Sequence, residues 1–313
     1  MKKRLKTQII VNPESAKGRT RRRWTLIKEG IRHFLQEYKV EFTEKPLHAI
    51  ELSRAALREG AELVIGVGGD VTMNEIANGF YEAARPINPE AALGIVPSGT
   101  GCDLIRSLGI PAELGKAMAV IAEADPAPID VGKVAFSGPG GGPSERFFLN
   151  VADFGVGGEV VELVNRKRLE RKTSSYVRCL VSTMWRYRNK RVRIRVDGRE
   201  LPRGEYLIGA VAKGRVFGKG MKVAPKARLD DGLFDAVFVK RMRFLEFCTQ
   251  GWKLMNGSHL GYRKVDFIRA RRVEAEPEAD EGPVLLELDG EQLGTLPARF
   301  DLVPRSLLVK AFL

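Results

Sequence analysis

The sequence has little of what staples small folds together. Its three cysteines, Cys102, Cys179 and Cys248, lie far apart, and its three histidines, His33, His48 and His259, are equally scattered. No paired spacing offers a disulfide framework or a Cys/His zinc site, so a reducing compartment is expected. Long apolar runs are missing too. None approaches the roughly 20 residues a helix needs to cross a bilayer. The basic start Met1-Lys2-Lys3-Arg4 leads into a short strand-like run ending at Asn12-Pro13, which fits neither a membrane span nor a signal peptide. No internal repeat, low-complexity tail or coiled-coil pattern is present. The expected location is the cytoplasm.

Acidic charge is the scarcer sign. Against 52 Lys and Arg stand 39 Asp and Glu, a net charge of +13. The excess is clustered. Residues 1–32 carry eleven Lys/Arg against Glu14 and Glu29, and residues 165–195 carry twelve against Glu170 alone. Such stripes draw polyanions, either an anionic membrane or a nucleic acid, with roughly 1 kcal/mol per basic residue near an anionic surface. A merely solvated basic face has the same composition, so charge does not choose between them.

What is present suffices for two domains: 313 residues, of which 44% are hydrophobic. The first part alternates. Thr7–Val11 reads as a strand, Arg21–Tyr38 as a helix, Lys39–Thr43 as a strand, Leu47–Glu59 as a helix and Glu62–Val67 as a strand; a helix follows Val71, then a strand Ala92–Val96 and a short helix from Asp103 to Gly109. This is the pattern of a parallel α/β sheet. Around Pro126-Ala127-Pro128 the texture changes to alternating strands separated by turn residues, among them Arg191–Val196 before Asp197-Gly198, and Tyr206–Ala212. Helical stretches interrupt near Val160–Tyr187 and Phe244–Met255. The second part is expected to be mainly antiparallel.

The densest chemical signal is Gly66-Val67-Gly68-Gly69-Asp70-Val71-Thr72-Met73-Asn74-Glu75, where a buried strand meets a helix. Thr72 and Glu75 have capping-box spacing, and Met73, Ile76, Ala77, Phe80, Tyr81 and Ala84 share one helical face. Glycines that admit a ligand to backbone N–H groups beside a helix N-terminus make a phosphate cradle. A plain tight turn would also satisfy Gly-Gly-Asp, and the GK[ST] ending of a Walker loop is absent. Two more small-residue loops follow strands of the same sheet: residues 12–18 (Asn-Pro-Glu-Ser-Ala-Lys-Gly) and 97–103 (Pro-Ser-Gly-Thr-Gly-Cys-Asp). The carboxyl ends of strands in an open α/β sheet form the ligand crevice, so the three loops reinforce one another.

In that order, with the stretch from Gly94 to Pro111, these motifs resemble the diacylglycerol kinase and sphingosine kinase superfamily, especially its soluble bacterial lipid kinases. The resemblance continues through Phe148–Gly157, through Ala224-Pro225 to Leu229-Asp230-Asp231-Gly232-Leu233-Phe234-Asp235, and through Leu288-Asp289-Gly290-Glu291. It implies an α/β ATP-binding domain, parallel-sheeted and Rossmann-like with three layers, over residues 1–128, with the segment from about 301 to 313 returning to it. A mainly antiparallel β-sandwich domain for the lipid substrate, residues 129–300, completes the chain. By motif position Asn12, Thr43, Gly68, Gly69, Asp70, Thr72 and Thr100 fall where the family contacts nucleotide. Asp231, with the backbone of Arg228 and Leu233, falls where its bacterial members hold a structural Mg²⁺.

Phosphoryl transfer needs positioning, charge neutralisation and a group to accept the hydroxyl proton. Glu291 and Asp289 are the catalytic candidates. Glu291 is favoured as the base and Asp289 as its helper or as a group orienting Mg-ATP, although Asp-Gly is also an ordinary hairpin turn. The implied activity is an ATP-dependent lipid kinase acting on a diacylglycerol-like or sphingoid-base-like hydroxyl. Its cofactors are Mg²⁺ and ATP as co-substrate. Its partners are a lipid alcohol and an anionic membrane surface touched peripherally, with nucleic acid not expected and a homodimer left open. Alternatives are an NAD kinase, a basic nucleic-acid-binding protein or a catalytically silent nucleotide binder. Two positions depart from the family pattern: Val71 stands for a glycine of the phosphate loop and Cys102 for an asparagine. With Asp70, Thr72, Asn74 and Glu75 intact around it, Val71 is expected at negative φ in a loop that still binds nucleotide, and Cys102 as a quietly packed thiol.

Overall fold

The computed structural model describes residues 5–166 and 173–313. Two compact units divide the chain, residues 1–131 with 304–313 and residues 132–303.

In the first unit the strands Thr7–Val11, Leu63–Gly68 and Ala92–Pro97 are buried almost end to end. Such uninterrupted apolar runs are what a sheet covered on both faces requires. Strand Lys39–Phe42 pairs with Thr7–Val11, which pairs with Leu63–Gly68, which pairs with Ala92–Pro97, and Leu308–Val309 closes the other edge; each pairing is parallel. Ile9, Ile10, Val64 and Ile65 have no exposed surface, and burying each such side chain is worth about 1.5–3 kcal/mol. On one side Ile27 and Ile31 of helix Trp24–Phe34 and Met118 and Ile121 of helix Leu114–Glu123 pack on Ile9, Ile65 and Val67. Elsewhere helix His48–Arg58 meets helix Asp70–Gly79, where the Ser53 hydroxyl donates to the Ile76 carbonyl at 2.9 Å.

Two local readings are corrected. The helix expected over residues 21–38 is split: Ser15–Arg22 and Trp24–Phe34 are separate, and Leu35 is already extended. Helix Leu114–Glu123 has no counterpart among the expected elements, although Ala117, Met118, Val120 and Ile121 give it a buried face.

The second unit pairs its strands antiparallel. Glu205–Ala212 lies between Val151–Gly155 and Phe234–Lys240, which pairs onward with Val265–Ala270. Lys190–Val196 pairs with Arg272–Pro277, and Leu285–Leu288 pairs with both Val151–Gly155 and the long strand Glu291–Lys310. Phe148 stacks on Phe234 at 5.7 Å and meets Phe300 edge-on at 6.3 Å in its core. The turns follow the sequence chemistry. Asp197-Gly198 and Asp289-Gly290 both have positive φ at each residue, 47° and 82° in one and 48° and 95° in the other, the requirement of a two-residue type I′ hairpin.

Candidate active site

Parallel pairing puts the carboxyl ends of Thr7–Val11, Leu63–Gly68 and Ala92–Pro97 at the same edge of the first unit's sheet, and side chains lock the loops that leave them. The Asn12 side-chain amide donates to the Thr72 hydroxyl at 3.0 Å, while its oxygen accepts the Glu14 N–H at 3.0 Å. Ser98 N–H donates to the Gly68 carbonyl at 2.8 Å, and the Ser15 and Thr20 hydroxyls both donate to the Ser98 carbonyl at 3.1 Å. Gly69 and Gly99 touch through backbone alone: a Cβ on Gly99 would stand 2.5 Å from the Gly69 Cα. In the first loop Ala16, Lys17 and Gly18 take consecutive left-handed conformations, with φ of 52°, 59° and 74°. Strain of this kind costs of order 1 kcal/mol or more for a residue other than glycine and persists where surrounding structure enforces it.

Asp70 opens helix Asp70–Gly79, and its carboxylate accepts the N–H groups of Asp103 and Leu104 at 2.9 and 3.1 Å, tying the second glycine loop to the third. The capping box expected from Thr72 and Glu75 does not form. The helix begins earlier, at Asp70, so Thr72 is already inside the first turn and accepts from Asn12 instead. Glu75 turns to another helix start, accepting the Leu47 and Ala49 N–H groups at 3.1 and 3.3 Å. Val71 lies in the first turn of the same helix and is not among the positive-φ residues. Cys102 does adopt positive φ, 51°, and burial, followed by the charge of Asp70, pushes its thiol up to about 11. It is a protonated, packed thiol at neutral pH. Thr43 is buried just past its strand with its N–H on the Val11 carbonyl at 2.9 Å, whereas Thr100 is exposed in the third loop.

In the second unit the two catalytic candidates have different surroundings. Asp289 is buried and accepts three main-chain N–H groups, from Leu149 at 2.8 Å and from Asn150 and Val151 at 3.0 Å. Its carboxylate anchors the 149–151 segment. Glu291, on the far side of the turn, is partly exposed and faces Arg146 at 3.7 Å. Beneath them sequence reasoning missed a buried carboxyl pair. Asp153 and Glu287 stand opposite each other on paired strands, both with almost no exposed surface. Burial pushes Asp153 up to about 6, moderated by the neighbouring Glu287 carboxyl; burial, and then the Asp153 charge, pushes Glu287 well above the ordinary glutamate range. Two carboxyls this close share a proton. The available signal was a charged residue inside the otherwise apolar runs Val151–Gly155 and Leu285–Leu288.

Also in this unit, an apolar cavity opens between the sheet and the helices Val156–Arg166, Thr173–Arg186, Phe244–Gln250 and Lys253–Asn256. Val160, Met184, Leu207, Val239, Phe247 and Leu254 are among the side chains lining it. The helices around it also expose large apolar groups: Trp185, which meets Phe244 edge-on at 5.1 Å, Leu245, Trp252 and Met255. Part of the basic stripe, residues 167–172, lies outside the described residues. Its strand portion is ion-paired: Lys190 and Arg191 with Glu281, Arg193 with Glu276, and Arg195 with Glu200 and Glu276.

A family model described as "Diacylglycerol kinase catalytic domain" matches residues 6–134, and one described as "YegS C-terminal NAD kinase beta sandwich-like domain" matches residues 150–311. The diacylglycerol kinase of Bacillus subtilis (strain 168) is 30% identical over 308 residues, covering 94% of this chain and 92% of that protein. The chain belongs to the diacylglycerol kinase family. The diacylglycerol kinase of Staphylococcus carnosus (strain TM300) is likewise 30% identical over 302 residues, 95% of this chain and 92% of that one. A crystal structure of a diacylglycerol kinase from Bacillus anthracis str. Sterne shares the fold with a TM-score of 0.73 at 23% identity, covering 100% of this chain and 98% of that one. A yeast NADH kinase complexed with NADH shares it more distantly, with a TM-score of 0.53 at 12% identity over 98% of this chain and 83% of that one. Among the described residues no helix is long and apolar enough to cross a membrane.

The metal set implied by the family resemblance, Asp231 with the backbone of Arg228 and Leu233, does not fit a bound Mg²⁺ in this chain. The fully buried ammonium of Lys213 donates to Asp231 Oδ1 at 3.0 Å and to the Leu233 carbonyl at 2.8 Å. Arg269 pairs with the other Asp231 oxygen, and the Arg228 guanidinium turns to Asp230 at 3.3 Å. A dication about 4 Å from that ammonium would be repelled by roughly 8 kcal/mol at an effective dielectric constant of about 20. Burial alone would raise the Asp231 pKa. The hydrogen bond and charge of Lys213, the Leu233 amide and Arg269 outweigh it and hold the carboxyl below the usual range. The signal was Lys213 itself, a cation directly after the apolar run Tyr206–Ala212.

Proposed function

We propose that this family member is an ATP-dependent lipid kinase that moves the γ-phosphoryl group of Mg-ATP to the hydroxyl of a diacylglycerol-like or sphingoid-base-like lipid. The first unit, read as a Rossmann-like three-layer nucleotide domain, would hold the phosphates on the backbone N–H groups of Gly68, Gly69, Gly99 and Thr100. Contiguous N–H groups at a helix start suit an anion. Asn12, Asp70 and Thr72 keep those loops in register, and Thr43 and Thr100 stand at the same sheet edge. Mg²⁺ carried by the nucleotide would supply neutralisation of the charge on the phosphates. Glu291 is the better-placed base, because its carboxylate is partly exposed while that of Asp289 is committed to three amides. Arg146 faces that carboxylate at 3.7 Å and would help to orient it.

The observation that carries the lipid reading is the cavity's lining, almost entirely aliphatic and aromatic side chains. Such a lining takes the surface of an acyl or sphingoid chain out of water. A dinucleotide would find almost no hydrogen-bond partners there, which argues against the NAD kinase alternative. Trp185, Leu245, Trp252 and Met255 form an apolar rim on helices around the cavity, with Arg186 and Arg188 close in sequence. That combination suits peripheral docking on an anionic membrane from which the lipid is drawn.

The test is phosphate incorporation from labelled ATP in mixed micelles offering diacylglycerol, monoacylglycerol, phosphatidylglycerol, sphingosine or NAD, run for the native protein and for Val160→Phe. Lipid phosphorylation with a raised lipid KM and unchanged ATP KM in the variant is expected. Phosphorylation of NAD and of no lipid would overturn the proposal.

A further inference from the structure

The acidic loop of residues 228–233 sits where the family resemblance implies a bound metal, yet this chain fills the position from within. Lys213 follows strand Glu205–Ala212, and its own N–H donates to the Asn150 carbonyl at 2.8 Å, which fixes the start of the side chain. The stem is wholly buried, and the ammonium reaches two oxygen atoms, Asp231 Oδ1 and the Leu233 carbonyl, at 3.0 and 2.8 Å. Asp231 Oδ1 also accepts the Leu233 N–H at 3.2 Å, so the loop closes on itself around the same carboxylate. Arg269 bridges Asp231 and Asp235, reaching the latter at 3.4 Å. Two cations, Lys213 and Arg269, therefore face two carboxylates, Asp231 and Asp235. The cluster is electrically balanced without any ion from solution, and a partly buried, balanced and hydrogen-bonded set of this kind is self-sufficient.

We infer that Lys213 is a tethered cation that takes the place of a structural divalent metal at the 228–233 loop, so that this loop folds independently of Mg²⁺ or Ca²⁺. The ammonium offers three donors to oxygen ligands of the type that hard cations prefer, and being covalently attached it cannot be removed by a chelator or diluted away. The inference concerns the loop alone and stands whether or not a lipid proves to be the substrate. Any metal requirement of the protein then belongs to the nucleotide.

The test uses full-length protein without nucleotide. Melting of the native chain is followed in EDTA, in Mg²⁺ and in Ca²⁺, with calorimetric titration of each metal. Lys213→Gln, which puts an amide oxygen on a shorter stem, and Lys213→Met, which keeps an unbranched stem but removes both the charge and its N–H donors, are examined beside it. The native chain should melt at the same temperature throughout and take up no metal at stoichiometric level. Lys213→Gln should melt lower by roughly 5 °C or more in EDTA and recover in Ca²⁺ or Mg²⁺ with one ion bound per chain; Lys213→Met should fall similarly and recover less. One metal ion bound per native chain with a rise in its melting temperature would overturn the inference, and so would a Lys213→Gln protein as stable in EDTA as the native one. The native titration decides the matter even if neither variant folds.

Discussion

At the scale of single residues, Asp289 and Glu291 illustrate how neighbours in sequence come to do different work. They flank Gly290 in a type I′ turn; three main-chain amides aim at the two oxygens of Asp289, whereas Glu291 faces Arg146. Hydrogen bonds to a charged acceptor are worth about 1.5–3 kcal/mol each, and an unmet buried donor costs about 1–3 kcal/mol. Asp289→Asn, with one oxygen where the aspartate has two, is expected to lose about 1–3 kcal/mol of stability, measured by urea denaturation. Glu291→Gln should leave that curve unchanged and instead lower kcat by about 10²-fold or more at nearly unchanged ATP affinity. Wild-type turnover in Glu291→Gln would remove it from the role of base. The spacing in Asp-Gly-Glu announced a pair of carboxylates; it could not announce which would be claimed by the backbone of residues 149–151, because that segment is distant in sequence.

Among the elements, the glycine loops are the most legible. Each lies where a strand ends, and their small and polar residues predicted backbone approach to a ligand; what the structure adds is that the loops approach one another. Gly99→Ala would push a methyl into the Gly69 main chain and separate two loops that cannot yield as a flexible side chain could. We expect weaker ATP binding and a lower melting temperature. Gly115→Ala is the control: it lies inside helix Leu114–Glu123 with nothing within 4 Å of a new Cβ, and should raise stability by about 0.5–1 kcal/mol through helix propensity. A Gly99→Ala protein that binds ATP like the native chain would argue against the loops as a phosphate site. Patterning revealed the strands well because a run such as Leu63–Gly68 is apolar throughout. Helix Leu114–Glu123 escaped because proline and glycine punctuate the sequence just before it. The capping box misled for a different reason: a spacing names partners only when the helix start is known, and Asp70, held by the neighbouring helix, starts this one early.

For the molecule as a whole, the buried pair Asp153 and Glu287 sets a pH dependence. Asp153 titrates at about 6 in the fold against an ordinary value of 3.8, so between those limits the native state holds a proton that the unfolded chain has lost. Stability from this group is therefore fully present below about 4 and lost as pH rises through about 6. Asp153→Asn, which is nearly isosteric and never ionises, should be at least as stable as the native chain at pH 8 and lose that advantage at pH 5, measured by urea denaturation at both values. A variant less stable at pH 8 than at pH 5, relative to the native chain, would show that the pair is not strained by its charge. The chain's last strand has a consequence in time as well as in space. Leu308–Val309 forms one edge of the first unit's parallel sheet beside Ala92–Leu93, the Lys310 ammonium donates to the Ala124 carbonyl at 2.6 Å, and Tyr81 meets Ser306 at 2.9 Å. None of these partners exists until translation has passed residue 310. Residues Ala92 and Leu93 leave the ribosome early and wait for their edge partners while the whole second unit is made. Such an edge is a template for pairing with a neighbouring nascent chain, so the interval between synthesis of residue 97 and residue 310 leaves it open to misassembly.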